Sequence, residues 1–160
     1  MNRWAVVVLA LLALAATARR PRAFRFEPDA QTELRRLWIA SSGAKAERVA
    51  CLAGEIRRDT VRVTRILPLA GRADSLGVSA RQSLDTCGPP RWQGTVHTHV
   101  ALYDGVLPYS RFSGADRGVN QIWWRRWKAE GMFCVLYSPT DAYCEIDGPQ
   151  GVAIFPRSTY

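Results

Sequence analysis

Two histidines separated by one threonine are the residues of this chain best suited to chemistry. His97 and His99 are the only histidines in the sequence, and they follow Thr95 and Val96, which favour strands. Side chains alternate along a strand, so residues two apart lie on one face and their imidazoles can reach the same metal ion. Because such a pair also arises by chance, a metal site requires further ligands.

Two other segments carry polar residues at the ends of expected elements. Glu47 comes just before the apolar run 49–54, and Ser113 and Asp116 stand three residues apart at an expected helix start. This spacing places both side chains on one side of the first helical turn. Taken alone, an acid such as Glu47 is typical of a solvated strand end. A Ser-x-x-Asp segment taken alone is typical of a helix cap. Together with the histidines, they form an ordered pattern of acid, H-x-H and S-x-x-D.

That order resembles the signature of the JAMM metalloproteases, also called MPN+ domains. The segment 47–54 is similar to the family's E-x-x-G-x-L-x-G stretch, with Ala50 in place of the first glycine. The segment 94–99 is similar to its strand ending in H-[ST]-H, although Val100 follows where the family often has proline. The resemblance covers roughly residues 29 to 146. It implies a single α/β domain of the cytidine-deaminase-like kind, with a mixed β-sheet flanked by helices.

The resemblance also implies a catalytic Zn²⁺ site. His97, His99 and Asp116 would be the metal ligands, with a fourth position left for water. Zinc lowers the pKa of its water towards about 7, so a nearby carboxylate can take the proton as the water attacks an amide carbonyl. Glu47 is the implied base, and Ser113 is the implied donor to the charge that develops on the carbonyl oxygen.

Two acids compete with these assignments. Asp104 lies in the loop 101–112, which is longer than the family usually has, but no serine precedes it by three residues. Glu55 lies on the wrong side of Gly54 for the family pattern. The same loop joins the two metal-binding segments, so its aromatic residues are the best placed to meet a substrate. They are Tyr103, Tyr109 and Phe112.

We therefore expect a zinc-dependent hydrolase that cleaves a peptide or isopeptide bond. By resemblance its substrate would be the tail of a ubiquitin-like protein, and an exported form makes an ordinary peptide equally worth testing. One alternative is a non-catalytic MPN-type binding or scaffold module. Another is a basic, membrane-associated interaction protein in which the two histidines are incidental.

The N-terminal segment 1–18 is typical of a signal peptide or membrane anchor. Its apolar run 5–18 suits a signal peptide better than a membrane span of about 20 residues. A cluster of arginines follows, and positive charge at that place disfavours export. An exported or membrane-associated protein is the favoured interpretation, and a cytoplasmic one is the alternative. We expect a basic linker at 19–28 and the hydrolase domain at 29–160.

Composition and net charge limit the kinds of partner that the protein can bind. With 48% apolar residues and 22% charged ones, the chain is globular rather than disordered. Its 22 basic residues exceed its 14 acidic ones, for a net charge of +8, which favours anionic partners. No recognisable nucleic-acid module accompanies the charge, so we expect no specific nucleic-acid binding.

The four cysteines include no C-x-x-C pair, and this spacing argues against a zinc ribbon or a thioredoxin-type site. Cys134 and Cys144 would face each other across a hairpin at 132–146. They would form a disulfide in an exported protein and remain buried thiols in a cytosolic one.

The remaining expected elements are a helix from Pro28 that Gly43 stops, strands at 49–54, 60–67, 93–100 and 152–155, and a helix from Ser113 to about Glu130.

Overall fold

The computed structural model describes residues 21–70, 80–103 and 105–160. The expected targeting or anchoring segment 1–18, the competing ligand Asp104 and the side chain of Tyr103 lie outside this description. None of the helices in these ranges combines the length and the apolar character needed to cross a membrane.

A mixed sheet of seven strands forms the centre of the described domain. The strands in chain order are β1 (Ala23–Phe26), β2 (Val49–Arg57), β3 (Thr60–Pro68), β4 (Gly94–Thr98), β5 (Leu102–Tyr103), β6 (Leu107–Pro108), β7 (Gly131–Leu136), β8 (Asp141–Asp147) and β9 (Ala153–Thr159). The sheet has the order β1-β3-β2-β4-β7-β8-β9, and β5 and β6 form a separate hairpin. β1 runs parallel to β3 and β4 parallel to β7, while the other neighbours are antiparallel. The strand that carries His97 therefore lies at the middle of the sheet.

Three helices of the described residues cover this sheet: α1 (Pro28–Ala44), α2 (Ala80–Thr86) and α3 (Gly114–Trp127). α1 begins with proline in its first turn and buries Leu34 and Leu37 against one face of the sheet. α3 buries Trp123 on the opposite face, against Phe133 of β7. The edges of the sheet curl towards each other, and the ring of Phe24 in β1 lies 5.4 Å from that of Phe155 in β9. The expected single α/β domain with a mixed sheet flanked by helices is confirmed at this level.

The expected basic linker at 19–28 is wrong in part, because Ala23–Phe26 forms β1. Phe24 and Phe26 are buried on either side of an exposed Arg25, which is the alternation of a half-buried strand. The domain therefore begins before residue 29. α3 also ends earlier than expected, since Lys128 adopts a left-handed conformation with a φ of 53°.

Both pairs of cysteines form disulfides. Cys134 and Cys144 are direct partners in the register of β7 and β8, as the expected hairpin requires. The second disulfide, between Cys51 and Cys87, was not expected, because a sequence separation of 36 gives no local signal of proximity. It ties β2 to the segment that follows α2, on the face of the sheet opposite α1.

The two disulfides should differ in their contribution to stability. Loss of the Cys51–Cys87 bond in a Cys51→Ala/Cys87→Ala variant frees a loop with a sequence separation of 36 residues, against 10 for a Cys134→Ala/Cys144→Ala variant. Loop-closure entropy gives losses in the free energy of unfolding of about 4 and about 3 kcal/mol, respectively. Denaturant titration of both variants measures the difference, and a larger loss in the Cys134–Cys144 variant would contradict this ranking.

Candidate metal centre

The histidines lie where the central strand β4 ends. β4 begins at Gly94, where a Cβ would lie only 1.8 Å from the carbonyl oxygen of Met132, so glycine permits the close approach of β7. His97 lies within β4, and the backbone N–H of His99 donates to the carbonyl of Leu136 at 2.8 Å, which extends the pairing. Both side chains therefore point to the same face, and their Nε2 atoms are 3.1 Å apart.

Asp116 reaches the histidines from the first turn of α3. Ser113 is the N-cap residue of α3: its Oγ accepts from the backbone N–H of Asp116 at 3.2 Å, and the carboxylate of Asp116 accepts from the backbone N–H of Ser113 at 2.7 Å. This capping box fixes the aspartate at the helix start. Its carboxylate oxygens lie 3.3 Å from Nε2 of His97 and 3.5 Å from Nε2 of His99.

These three side chains have the donor atoms and the spacing of a metal site. Their ligand atoms all lie within 4.8 Å of one another. Bonds of about 2.0–2.1 Å in tetrahedral directions would put neighbouring ligands about 3.3 Å apart. The contacts of 3.1, 3.3 and 3.5 Å between the three side chains agree with this spacing. The group can therefore bind a metal ion without large rearrangement.

A backbone contact orients one of the two imidazoles. Nδ1 of His99 lies 2.6 Å from the carbonyl oxygen of Tyr109, an acceptor, so in neutral His99 the proton sits on Nδ1. The lone pair of Nε2 then points towards His97 and Asp116. Such an outer hydrogen bond is the usual device that orients a metal-binding histidine.

The electrostatics of the cluster favour an ionised carboxylate beside the imidazoles. Burial opposes ionisation of Asp116, but hydrogen bonds from His97 and His99 outweigh it and hold the pKa of this carboxyl well below its ordinary value. For His99, burial lowers the pKa, whereas the hydrogen bond to Asp116 and the charge of Glu47 raise it, and the net shift is upward. A positive charge is thus stabilised where the ligand atoms meet.

Glu47 lies beside the histidines, and polar contacts of the backbone hold it there. The backbone N–H of Arg48 donates to Oγ1 of Thr98 at 2.9 Å, and the N–H of Thr98 donates to the carbonyl of Arg48 at 3.0 Å. Val49 is the register partner of His97. Continuing that antiparallel register places Glu47 opposite His99, on the same face of the sheet. Glu47 is buried, with 7% of the residue exposed.

Ser113 and the two competing acids have different surroundings. The cap uses Oγ of Ser113 as an acceptor, and a hydroxyl retains an O–H donor besides. Glu55 is exposed and pairs with Arg57 at 2.6 Å, so the structure does not bring it to the histidines. Asp104, as noted, lies outside the described residues. The pattern assigned to Glu47, His97, His99, Ser113 and Asp116 thus gathers on one face of the sheet.

The aromatic residues of the preceding loop take two roles. Tyr109 is 43% exposed, and its ring lies 6.2 Å from that of His99, so it stays accessible to a substrate. Phe112 is only 4% exposed and packs between His97 and Tyr143, with ring centroids 5.8 and 5.6 Å away. The expectation that Phe112 meets a substrate is therefore wrong, because this ring supports His97 from the side of the core.

A buried charged network next to the centre was missed in the sequence. Glu145 of β8 is fully buried and accepts two hydrogen bonds from the guanidinium of Arg117, at 3.0 and 2.8 Å. The hydroxyl of Tyr143 donates to the same carboxylate at 2.6 Å. Because Arg117 follows Asp116 directly, this pair holds the start of α3 onto the sheet. An acid inside the otherwise apolar strand 142–146 was the available signal, since a buried carboxylate requires a partner.

Comparisons with known proteins support the fold alone. No family model matches the chain, and no curated protein matches it. The solution structure of protein DSY2949 from Desulfitobacterium hafniense is similar, with a TM-score of 0.50 and 16% sequence identity over 82% of this chain and 89% of that one.

An Asp116→Asn variant should separate the ligand role of this residue from its capping role. The amide oxygen still accepts from the backbone N–H of Ser113, so the helix cap should remain, whereas the anionic metal ligand is lost. We expect the affinity for a divalent transition metal to fall by about 100-fold or more, measured by competition with a chromophoric chelator. Asp104→Asn is the matched variant. Unchanged affinity in Asp116→Asn together with a loss in Asp104→Asn would move the third ligand into the loop.

Replacing Arg117 by Met should destabilise the protein through Glu145. The carboxylate is fully buried and would keep only the hydroxyl of Tyr143 as a partner. Because the Arg117 side chain is 41% exposed, the loss should lie below the range for a fully buried pair, at about 2 kcal/mol in the free energy of unfolding. The double variant Arg117→Met/Glu145→Gln should recover part of it in denaturant titrations. A single variant as stable as the native protein would contradict this role.

Proposed function

We propose that this protein is a zinc-dependent peptidase of the JAMM or MPN+ type, which hydrolyses a peptide or isopeptide bond. The observation that carries the proposal is the convergence of His97, His99 and Asp116, with the carboxylate of Glu47 on the same face. The order of the elements supports it as well. The acid precedes β2, the histidines end β4, and the aspartate lies in the first turn of α3. The JAMM/MPN-like assignment of the fold belongs to the same proposal.

The donor set suits zinc. Two imidazoles and one carboxylate are a common protein ligand set of catalytic zinc, which keeps a further position open. His97 and His99 would supply the imidazoles, and Asp116 would supply the carboxylate. When bound in such a site, zinc supplies a Lewis acid and makes a water acidic near neutral pH.

The residues of the chain then divide the remaining work. Glu47 accepts the proton of the attacking water and passes it to the departing amine, which requires a carboxylate that is buried near the histidines but does not bind the metal. Ser113 donates its O–H to the carbonyl oxygen as negative charge develops there. Tyr109, exposed beside His99, contacts the substrate chain.

The two disulfides indicate the compartment in which a substrate would be met. Two disulfides that leave no described cysteine free are typical of a protein that folds in an oxidising compartment. This favours an exported or membrane-associated protein, and for that setting an ordinary peptide is a better substrate than the tail of a ubiquitin-like protein. Both belong in an activity screen.

A Glu47→Gln variant tests the mechanism. Gln keeps the size of the side chain but cannot take a proton, so the hydrolytic rate should fall by about 10²- to 10⁴-fold while bound zinc stays near one equivalent. Glu55→Gln is the matched control, since Glu55 is exposed and paired with Arg57. The assay combines a screen of peptides and ubiquitin-like fusions with metal analysis of the same samples.

The outcomes distinguish the alternatives. Loss of zinc in Glu47→Gln would make this residue a ligand rather than the base. Stoichiometric zinc with no turnover on any substrate would favour the non-catalytic MPN-type module. Absence of zinc from protein purified without chelators would contradict the peptidase and favour the basic, membrane-associated interaction protein.

A further inference from the structure

A basic groove lies on the part of the sheet that carries β1 and β3, apart from the metal centre. Its volume is about 560 Å³. The residues that line it are Arg25, Arg57, Arg58, Asp59, Thr60 and Arg62. They come from β1, from the end of β2, from β3 and from the turn that joins β2 to β3. We call this set the arginine groove.

The arrangement of the strands forces like charges together in this groove. Arg25 of β1 and Arg62 of β3 are direct register partners. Their neighbours Phe24 and Val61 are buried in the core, so the two arginines point to the outer face. Like charges that are directly opposite destabilise a sheet unless an anion offsets them.

The acidic neighbours offset only part of this charge. Glu27 lies 3.4 Å from Arg62, and Glu55 lies 2.6 Å from Arg57. No ion pair among residues 21–70, 80–103 and 105–160 involves Arg25 or Arg58. Asp59 also lines the groove, but four arginines against this one acid leave the lining with an excess of three positive charges. The guanidinium groups of Arg25 and Arg58 therefore remain for an external anion. The planar fork of a guanidinium matches a phosphate group, which can accept two parallel hydrogen bonds from it.

The described part of the chain begins next to the groove, and the N-terminal apolar segment precedes it in the sequence. The backbone N–H groups of Arg22 and Ala23 both donate to the carbonyl of Asp59, at 2.6 and 3.2 Å, so the chain enters the sheet at the edge of the groove. In the sequence, the apolar run ends at Ala18. The four residues from Ala18 to Arg22 span at most about 14 Å.

An apolar segment and a basic surface that are close together in the sequence are the two signals of stable attachment to an anionic bilayer. An apolar anchor supplies burial in the hydrocarbon, and a basic surface adds attraction to anionic headgroups within a Debye length. Arg19 and Arg20 add to the charge in the sequence between the apolar run and the groove. A soluble anion as the ligand would give no role to the apolar segment that precedes the groove in the sequence.

We propose that the arginine groove binds the phosphate groups of anionic phospholipids and so holds the domain against a membrane surface. Arg25 and Arg58 make the principal contacts, because the other two arginines already have acidic partners. The occupant of the groove is thus a lipid headgroup. This proposal is independent of the metal centre, since none of its residues belongs to that site.

Vesicle flotation of the full chain tests the proposal. The vesicles contain phosphatidylcholine alone, or phosphatidylcholine with phosphatidylglycerol. Because the apolar segment can bind either kind, the measured quantity is the preference for anionic over neutral vesicles. We expect Arg25→Gln/Arg58→Asn to reduce this preference by about tenfold or more. Asn is chosen at position 58 because Arg58 has a positive φ, which Asn tolerates.

A matched control removes the same charge elsewhere. Arg35→Gln/Arg81→Gln changes two exposed arginines on α1 and α2, and this variant should keep the anionic preference within about twofold of the native chain. Equal losses in the two double variants would overturn the proposal in favour of net charge alone. A native chain without anionic preference would also overturn it.

Two further ligands complete the test. Inorganic phosphate and a single-stranded oligonucleotide are titrated separately into the native chain and into the groove variant. Binding of either that depends on Arg25 and Arg58, without any vesicle preference, would overturn the lipid assignment and leave a free-anion or nucleic-acid site. A vesicle preference that persists in millimolar phosphate and is lost only in the groove variant is the expected result.

Discussion

The side chain of Thr98 connects the elements on which the candidate site depends. Its hydroxyl oxygen accepts from the backbone of Arg48 and also hydrogen-bonds with Ser41 at the end of α1. Thr98 lies between the two histidines in the sequence and is fully buried. Its side chain points to the face of the sheet opposite the two imidazoles. The contact sets the end of β4 against the start of β2. Glu47, His97 and His99 owe their common face to this connection.

The capping box of α3 joins stability to chemistry in the same way. Asp116 satisfies a backbone N–H at the helix start, and its carboxylate also faces both histidines. The position of the third candidate ligand therefore follows from helix formation, without a dedicated loop conformation. The buried pair of Arg117 and Glu145 adds a second attachment one residue further along. The long preceding loop can then vary, because its two ends are fixed independently.

Local patterns predicted the site better than they predicted the edges of the fold. The H-x-H at a strand end and the Ser-x-x-Asp at a helix start are short-range features, and each lies in the element that its pattern indicated. β1 was missed because its strand of four residues follows a basic cluster, which is typical of a linker. The Cys51–Cys87 disulfide and the partner of Glu145 depend on contacts between distant segments. Such contacts are set by the topology of the sheet and leave little trace in a single sequence.

The two disulfides stabilise the strands on either side of β4, the strand at whose end the histidines lie. β4 has β2 on one side and β7 on the other, and each of these neighbours carries one disulfide cysteine. Cys51 links β2 to the segment after α2 on the face of the histidines, whereas Cys134 links β7 to β8 on the face of α1. Each link limits separation of a strand that flanks β4. This support would help the candidate ligands to hold a metal ion, because loose neighbouring strands would let their side chains move away from the required geometry.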